Sequence, residues 1–552
     1  MADTEAIRRR LVQTAFSAAD CESSLRGLTP LPENLGNKGV RLSLISGIRQ
    51  HTALARSEGV TALCFIDGQE VFVRARNARL IMSDEVPGSE LMPDRASYPY
   101  CIWYPDVAGE DTYRKLAAAF PDMRYQVGRA CAVAGYAGLY TELDLLPDPS
   151  IAEEAREAGR TNEGARQIFE QIMATPVRYG VMNDYNLTIE LENPRPGACL
   201  NADTAVRATL EGRVKYRDHS DHAVPWRYFN ITEDWGYALE EVELEEAKLT
   251  DDEVALLASP LPFDLPTMKK DLFILVAAFE GNLDRYARLR RPGHSVPYEL
   301  HCLVPGVYRS TALALWLERN SDIIEVVAGW WADWEAPALR RAIHARHVMN
   351  NDVHRLLDAD PPVDDDELPY WIWYPTIPLS STLCRLAEAR PAMRPQCARA
   401  CIAAGYRDGF TKIMEMDAAA PFHPDTETYP EKYPLPADPH LNKEAERSPD
   451  RAFYTADLER RRTERGIPPR RFGHDHWKSI TPWRMGDTSS GDLYGYLWDG
   501  ASCVMHEGQD WGMWEKLGAE LGRVRLYLSS PAEVREVARK EGRIICIDIE
   551  PI

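Results

Sequence analysis

Two stretches of this chain align with each other without a gap, and that constrains the fold more than any other feature, because an internal repeat fixes the architectural unit. The first is PYCIWYPDVAGEDTYRKLAAAFPDMRYQVGRACAVAGYAGLYT, from Pro99 to Thr141. The second is PYWIWYPTIPLSSTLCRLAEARPAMRPQCARACIAAGYRDGFT, from Pro369 to Thr411. About 21 of the 43 positions are identical. Upstream, Ala78–Met82 (ARLIM) answers Ala345–Met349 (ARHVM), and beyond that the signal fades. Downstream, Asp218-His219 and Pro225-Trp226-Arg227 answer Asp475-His476 and Pro482-Trp483-Arg484, with five residues between His and Pro in both. The chain therefore reads as two copies of one unit.

Each unit reads as short helix pairs. Leu272, Leu275, Val276 and Phe279 form a helical stripe; Gly281-Asn282 interrupts it; Leu283, Tyr286 and Leu289 resume it. The same layout surrounds Gly135, Gly405 and Asn350-Asn351. Alanines such as Ala130, Ala132 and Ala134 let two helices approach, and Gly or Asn supplies the left-handed residue that ends the first. Cys131, Ala134, Cys401 and Ala404 are expected to be buried on that tight face. A single hairpin cannot bury its apolar face, so neighbours stack. The expected fold class is mostly α, as internally duplicated helical hairpin repeats, with a small α/β segment at the C-terminus. The expected boundaries are a first unit over 1–250, a second over 263–420, a Pro-rich acidic linker over 421–470, and 471–552 as the end of the second copy plus the α/β segment. There, Arg525–Glu550 reads as strand, helix, strand.

The pattern AA..GN.D....L in Ala277–Leu289 and A.AG...LY.EL in Ala132–Leu143 resembles the helix-turn-helix of ankyrin repeats. It departs from that family in lacking the Thr-Pro-Leu-His opening and in a hairpin spacing of about 50 to 65 residues instead of about 33. The combination of ARHVMNND, IWYP and RACxxAGY also resembles a group of filamentous-fungal proteins that carry no assigned activity. These resemblances imply stacked hairpins and a protein partner, with no cofactor.

Charge narrows the function classes. Lys and Arg number 64 against 85 Asp and Glu, a net charge of -21. Binding nucleic acid or an anionic membrane needs a basic surface, so neither partner is expected. The start, MADTEAIRRRLVQ, lacks the apolar core of a secretory signal, and a cytoplasmic location is expected, with the nucleus as the alternative. The eleven cysteines, without CxxC pairs, read as reduced thiols.

The paired Asp-His-x5-Pro-Trp-Arg is the main chemical candidate. His219 or His476 has the residue type for general acid or base work near neutrality. Arg227 or Arg484 has the fork that holds an anion. The competing reading, which duplication favours, is structural: the Trp packs and the Arg pairs across a loop. DHSDH (Asp218–His222) and HDH (His474–His476) hold too few ligands for zinc, and His344, His347 and His354 are not matched by the first copy, so no metal site is expected. Neither GxxxxGK[ST], GxGxxG, GxSxG nor HExxH occurs. Trp103, Tyr104, Trp373 and Tyr374 form an aromatic signature in both copies, which reads either as core or as a partner-binding groove. The leading functional expectation is a non-catalytic interaction or scaffold protein. The alternative is an enzyme with its site around 474–511, transferase-like through a similarity of Leu526–Arg543 to the later strands of NAD-dependent ADP-ribosyl and RNA phosphotransferase folds.

Overall fold

The computed structural model describes residues 4–203, 231–232, 251–268, 270–296, 299–328, 332–364, 367–369, 372–373, 376–417 and 434–467. It is mostly helical and divides into two compact units, Met1–Glu245 with Thr250–Lys270, and Glu246–Leu249 with Asp271–Ile552.

The first unit opens with α1 (Thr4–Val12), α2 (Ala18–Leu25), α3 (Lys38–Gln50), α4 (Thr52–Ala55), α5 (Glu58–Cys64) and α6 (Glu70–Met82). Their starts follow ordinary capping chemistry. Ser17, Asn37 and Ser57 accept hydrogen bonds from the first backbone amides of α2, α3 and α5. Leu35, Val40, Leu44, Ile48, Leu54 and Phe72 make one apolar core between these helices. After a long loop come α7 (Glu110–Ala119), α8 (Arg124–Ala134), α9 (Ala137–Glu142), α10 (Pro149–Ala158) and α11 (Glu163–Met173). They share a second core with the IWYP segment, including Ile102, Trp103, Tyr113, Cys131 and Ile151. Four two-residue strands follow: β1 (Tyr179–Gly180), β2 (Met182–Asn183), β3 (Thr188–Ile189) and β4 (Arg195–Pro196). β1 pairs antiparallel with β4, and β2 with β3. The helix α12 (Asp251–Ala258) completes the described part.

The second unit carries α13 (Lys270–Glu280), α14 (Leu283–Leu289), α15 (Glu299–Arg309), α16 (Thr311–Arg319), α17 (Ser321–Ala328), α18 (Ala332–Met349), α19 (His354–Leu357), α20 (Ser380–Ala389), α21 (Arg394–Ala404), α22 (Arg407–Met416), α23 (Pro439–Arg447) and α24 (Arg451–Glu464). The same local solutions recur from unit to unit. Gly135 and Gly405 end α8 and α21 in the left-handed conformation, at φ 80° and 71°. A 3-10 turn precedes each of those helices, Pro121–Met123 and Pro391–Met393. Gly47 of α3 lies so close to the Ser24 carbonyl that an added Cβ would overlap it; Gly306 of α15 lies in the same way on the Ala278 carbonyl.

Three expectations need correction. Residues 435–464, expected within the linker, form a 3-10 turn and helices α23 and α24, which pack on each other and, through α23, on α21. Of the described strands only β4 lies inside Glu190–Asp203, a stretch that reads as loop in the sequence, and the expected C-terminal strands fall outside the described residues. Cys131 and Cys401 are buried, whereas Ala134 and Ala404 are half-buried. Ala134 and Ala404 are the last residues of their helices, directly before the glycine that reverses the chain.

Candidate functional site

The most unusual chemistry among the described residues sits inside the first unit. The helix α8, RYQVGRACAVA, is rich in small residues and packs closely against α10 and α11. In its middle stands Arg129, fully buried. A buried guanidinium must be paired and hydrogen-bonded, because desolvation alone would cost several kcal/mol. Its Nη1 donates to Asp184 Oδ1 at 2.6 Å, and its Nη2 to Asp184 Oδ2 at 3.2 Å and to Glu154 Oε1 at 3.3 Å. Trp103 Nε1 donates to the same Glu154 oxygen at 3.1 Å, and Tyr100 Oη donates to Asp184. The guanidinium carbon lies 4.7 Å from the centre of the Trp103 ring. Glu154 comes from α10 and Asp184 from the loop after β2, so one arginine fastens α10, the IWYP segment and the strand loop together.

The second unit repeats the centre. Arg399 of α21 is fully buried, its Nη2 donates to Glu444 Oε2 of α23 at 3.1 Å, and its guanidinium lies 4.9 Å from the Trp373 ring centre. Glu154 and Glu444 occupy like positions: Asp148-Pro149 precedes Glu154-Ala155 as Asp438-Pro439 precedes Glu444-Ala445. The copies therefore stay in step across α10 and α23, with extra residues between α22 and α23 in the second.

Electrostatics make these centres holding devices. Burial pulls the Arg129 guanidinium down, but Asp184 and Glu154 more than reverse this, so it stays charged. Burial and the neighbouring Asp184 push Tyr100 well above its ordinary value. Asp148 is buried and rises to about 6 through desolvation, against the pull of backbone amides. It accepts from Ser150 and Ile151 at the start of α10 and from Val181 and Met182 at the strands. Burial also raises the thiols: Cys101 to about 11, Cys131 to about 12, Cys397 well above its ordinary value. Protonated and enclosed, they are poor nucleophiles. None of the nine cysteines among the described residues forms a disulfide.

A second repeated device fixes α7 and α20. Asp84 and Asn351 both adopt positive φ, 61° and 66°. Asp84 accepts from Gly109 N at 2.7 Å and Thr112 Oγ1 at 2.9 Å; Asn351 accepts from Leu379 N at 2.7 Å and Thr382 Oγ1 at 2.8 Å. Upstream, Arg79 donates to the Arg49 carbonyl and Arg346 to the Tyr308 carbonyl. That register matches Thr52-Ala53-Leu54-Ala55 with Thr311-Ala312-Leu313-Ala314, five residues after Gly47 and Gly306.

The expected site residues fall as follows. His219, Arg227, His476, Arg484 and Tyr374 lie outside the described residues. Trp103 and Trp373 are only 2% and 4% exposed. They are core residues stacked beneath an arginine, not a surface offered to a partner. Tyr104 is half-buried, and its carbonyl accepts from Arg49 Nη2 at 2.8 Å. Among the described residues no group of three His, Cys, Asp or Glu is placed to hold a metal ion. Sequence reasoning missed Arg129, Arg399, Glu154 and Glu444. The signal was present as an Arg inside an Ala- and Cys-rich helix in both copies and an Asp-Pro-x5-Ala pattern that continues the alignment.

A family model described as the YKP1 C-terminal domain matches residues 103–211. The match begins at Trp103 and takes in α7 to α11 and the four strands, so it contains Arg129, Glu154 and Asp184. No curated protein and no solved structure matches the chain.

Proposed function

We propose that this protein is a non-catalytic interaction or scaffold protein, acting in the cytoplasm, whose stacked helical hairpins present a surface to a protein partner. The observation that carries this reading is the duplicated arginine centre. In both units the buried arginine and its carboxylate are committed to joining elements far apart in the chain, and an active site seldom needs the same apparatus twice. The ankyrin-like hairpin pattern supports the same reading, since stacked hairpins of that kind form extended binding surfaces. No helix among the described residues is long and apolar enough to cross a membrane.

The test uses the full chain. Cross-linking affinity capture should return a protein partner in near-equimolar amount. His476→Ala and Arg484→Ala should change neither that capture nor the cellular phenotype. A His476→Ala chain that folds and captures the same partner, yet loses the phenotype while His219→Ala keeps it, would refute the scaffold reading in favour of an active site around 474–511.

A further inference from the structure

One buried place where the chemistry differs between the two units lies on α6 and α18. On α6 the first unit has Asn77 and Leu80, both buried. Asn77 donates to the Leu91 and Ser97 carbonyls. The matching positions on α18 are His344 and His347. His347 is 2% exposed and its Nε2 has no hydrogen-bond partner; Glu318 Oε2 of α16 stands 3.7 Å away, beyond hydrogen-bonding reach. His344 is half-buried, and its shielded Nδ1 likewise has no hydrogen-bond partner. Two neutral imidazoles thus sit one helical turn apart in the layer that α18 forms with α15, α16 and α17.

We propose that α18 is an acid-sensitive latch of the second unit: protonation of His344 and His347 loosens its packing, while the first unit, with Asn77 and Leu80 in those places, stays closed. The charged groups around the pair set the sign. Glu318 from α16, Asp352 from the turn before α19 and Glu367 beyond it favour the charged imidazoles. Arg355 from α19 opposes charge at both histidines, Arg346 from α18 itself opposes it at His347, and His347 opposes it at His344. Glu318 is already engaged by Arg355 Nη1, and Arg355 is also held by Asp352. On α15, Glu299 is taken by Tyr286 and Arg309 by the Phe279 carbonyl; on α17, Glu325 is taken by Arg340. Desolvation is the largest effect at both histidines, and the balance holds both below the ordinary 6.5. A histidine whose folded-state pKa lies below its unfolded value binds fewer protons when folded. The stability it contributes is present above about pH 6.5 and is lost as pH falls below it.

The test is hydrogen exchange by mass spectrometry on the full chain at about pH 7.5 and about pH 5.5, with exchange times scaled for the intrinsic rate. Peptides spanning α18 should lose protection on acidification, by roughly tenfold per fully excluded proton one pH unit below 6.5. Peptides spanning α6 should not. The double variant His344→Asn/His347→Leu, which installs the first unit's residues, should abolish the loss. If it is not protected like the wild type at pH 7.5, His347→Gln, neutral at both pH values, takes its place and should at least halve the logarithm of the loss. An α18 in the wild type that keeps its protection at pH 5.5 overturns the proposal, as does a loss shared equally by α6 or unchanged in a folded variant.

Discussion

Replacing Arg129 with Leu tests the central claim that one buried guanidinium holds the second half of the first unit together. The substitution roughly preserves apolar bulk but leaves Asp184 and Glu154, 3% and 3% exposed, without their cation. Removing one partner of a buried ion pair costs about 3–5 kcal/mol, because the remaining charge is left in a poorly solvating interior. Two carboxylates are stranded here, and the stacking on Trp103 at 4.7 Å is also lost. The expected cost is therefore at the upper end, about 5 kcal/mol, comparable with the whole stability of many domains. Arg399→Leu strands Glu444 among the described groups and should cost less, about 3–4 kcal/mol. Urea unfolding followed by tryptophan fluorescence, with calorimetry to separate the two units, measures both. Acid gives a further check. Without the arginine the stranded carboxylates are held more easily protonated than charged, because burial penalises the charge. The stability of their protonated form is then present near pH 4 and lost as pH rises, so the Arg129→Leu defect should shrink on acidification. A loss under about 1 kcal/mol at neutral pH, or a defect independent of pH, would refute the reasoning.

Asp148 has a folded-state pKa of about 6 against 3.8, so the stability of its protonated form is present below about pH 4 and lost as pH rises through about 6. Asp148→Asn should remove that part of the slope in a series of urea midpoints from about pH 4 to 7, and an unchanged slope would count against it. Gly47→Ala and Gly306→Ala should each lower stability by roughly 1–3 kcal/mol through overpacking against the Ser24 and Ala278 carbonyls, read by thermal melting. Asp84→Ala should cost about 1–3 kcal/mol, since it removes two hydrogen bonds at the start of α7 and forces a residue with a Cβ and no local acceptor into positive φ; a neutral result would contradict the capping role. With a net charge of -21 the chain should not bind duplex DNA at physiological salt, and a salt-sensitive sub-micromolar gel shift would overturn that.

What could be read from the sequence, and what could not, follows from the range of the interactions. The turns at Gly135 and Gly405 were legible because a helix stop is local chemistry: small residues, then a glycine that takes positive φ. Arg129 was not. Arginine is ordinarily a surface residue, and only its partners, 25 and 55 positions away, turn it into a core residue. Asn351 was legible as a left-handed turn residue, but the caps that it and Asp84 form on helices more than 25 residues further on were hidden for the same reason as Arg129. The aromatic pair Trp103 and Trp373 showed the reverse. Its presence in both copies marked an important position, but a large aromatic serves core and interface equally well, and only burial decides between them.

The parts that the copies share and the parts they do not share separate architecture from adaptation. The arginine over the tryptophan, the positive-φ cap before α7 and α20, and the glycine against a carbonyl all recur with close to the same geometry. Each joins elements far apart in sequence; the arginine and glycine contacts are enclosed, whereas the exposed Asp84 and Asn351 hold through their positive φ and the hydrogen bonds they accept. The two units differ away from these devices: extra residues between α22 and α23, a pairing of Arg407 with Asp450 where the first unit has Ala137 and Asn162, and histidines in place of the buried Asn77 and Leu80. Asn162 bridges to the Ala134 carbonyl, closing the turn at Gly135 with a hydrogen bond; Asp450 reaches across to Arg407 with an exposed ion pair instead. An exposed pair of that kind contributes little stability. The second unit's turn is thus held mainly by the backbone of Gly405 and the packing of α21 on α23, and a specialised role for the second unit is most readily built on such differences without disturbing the arginine centre beneath.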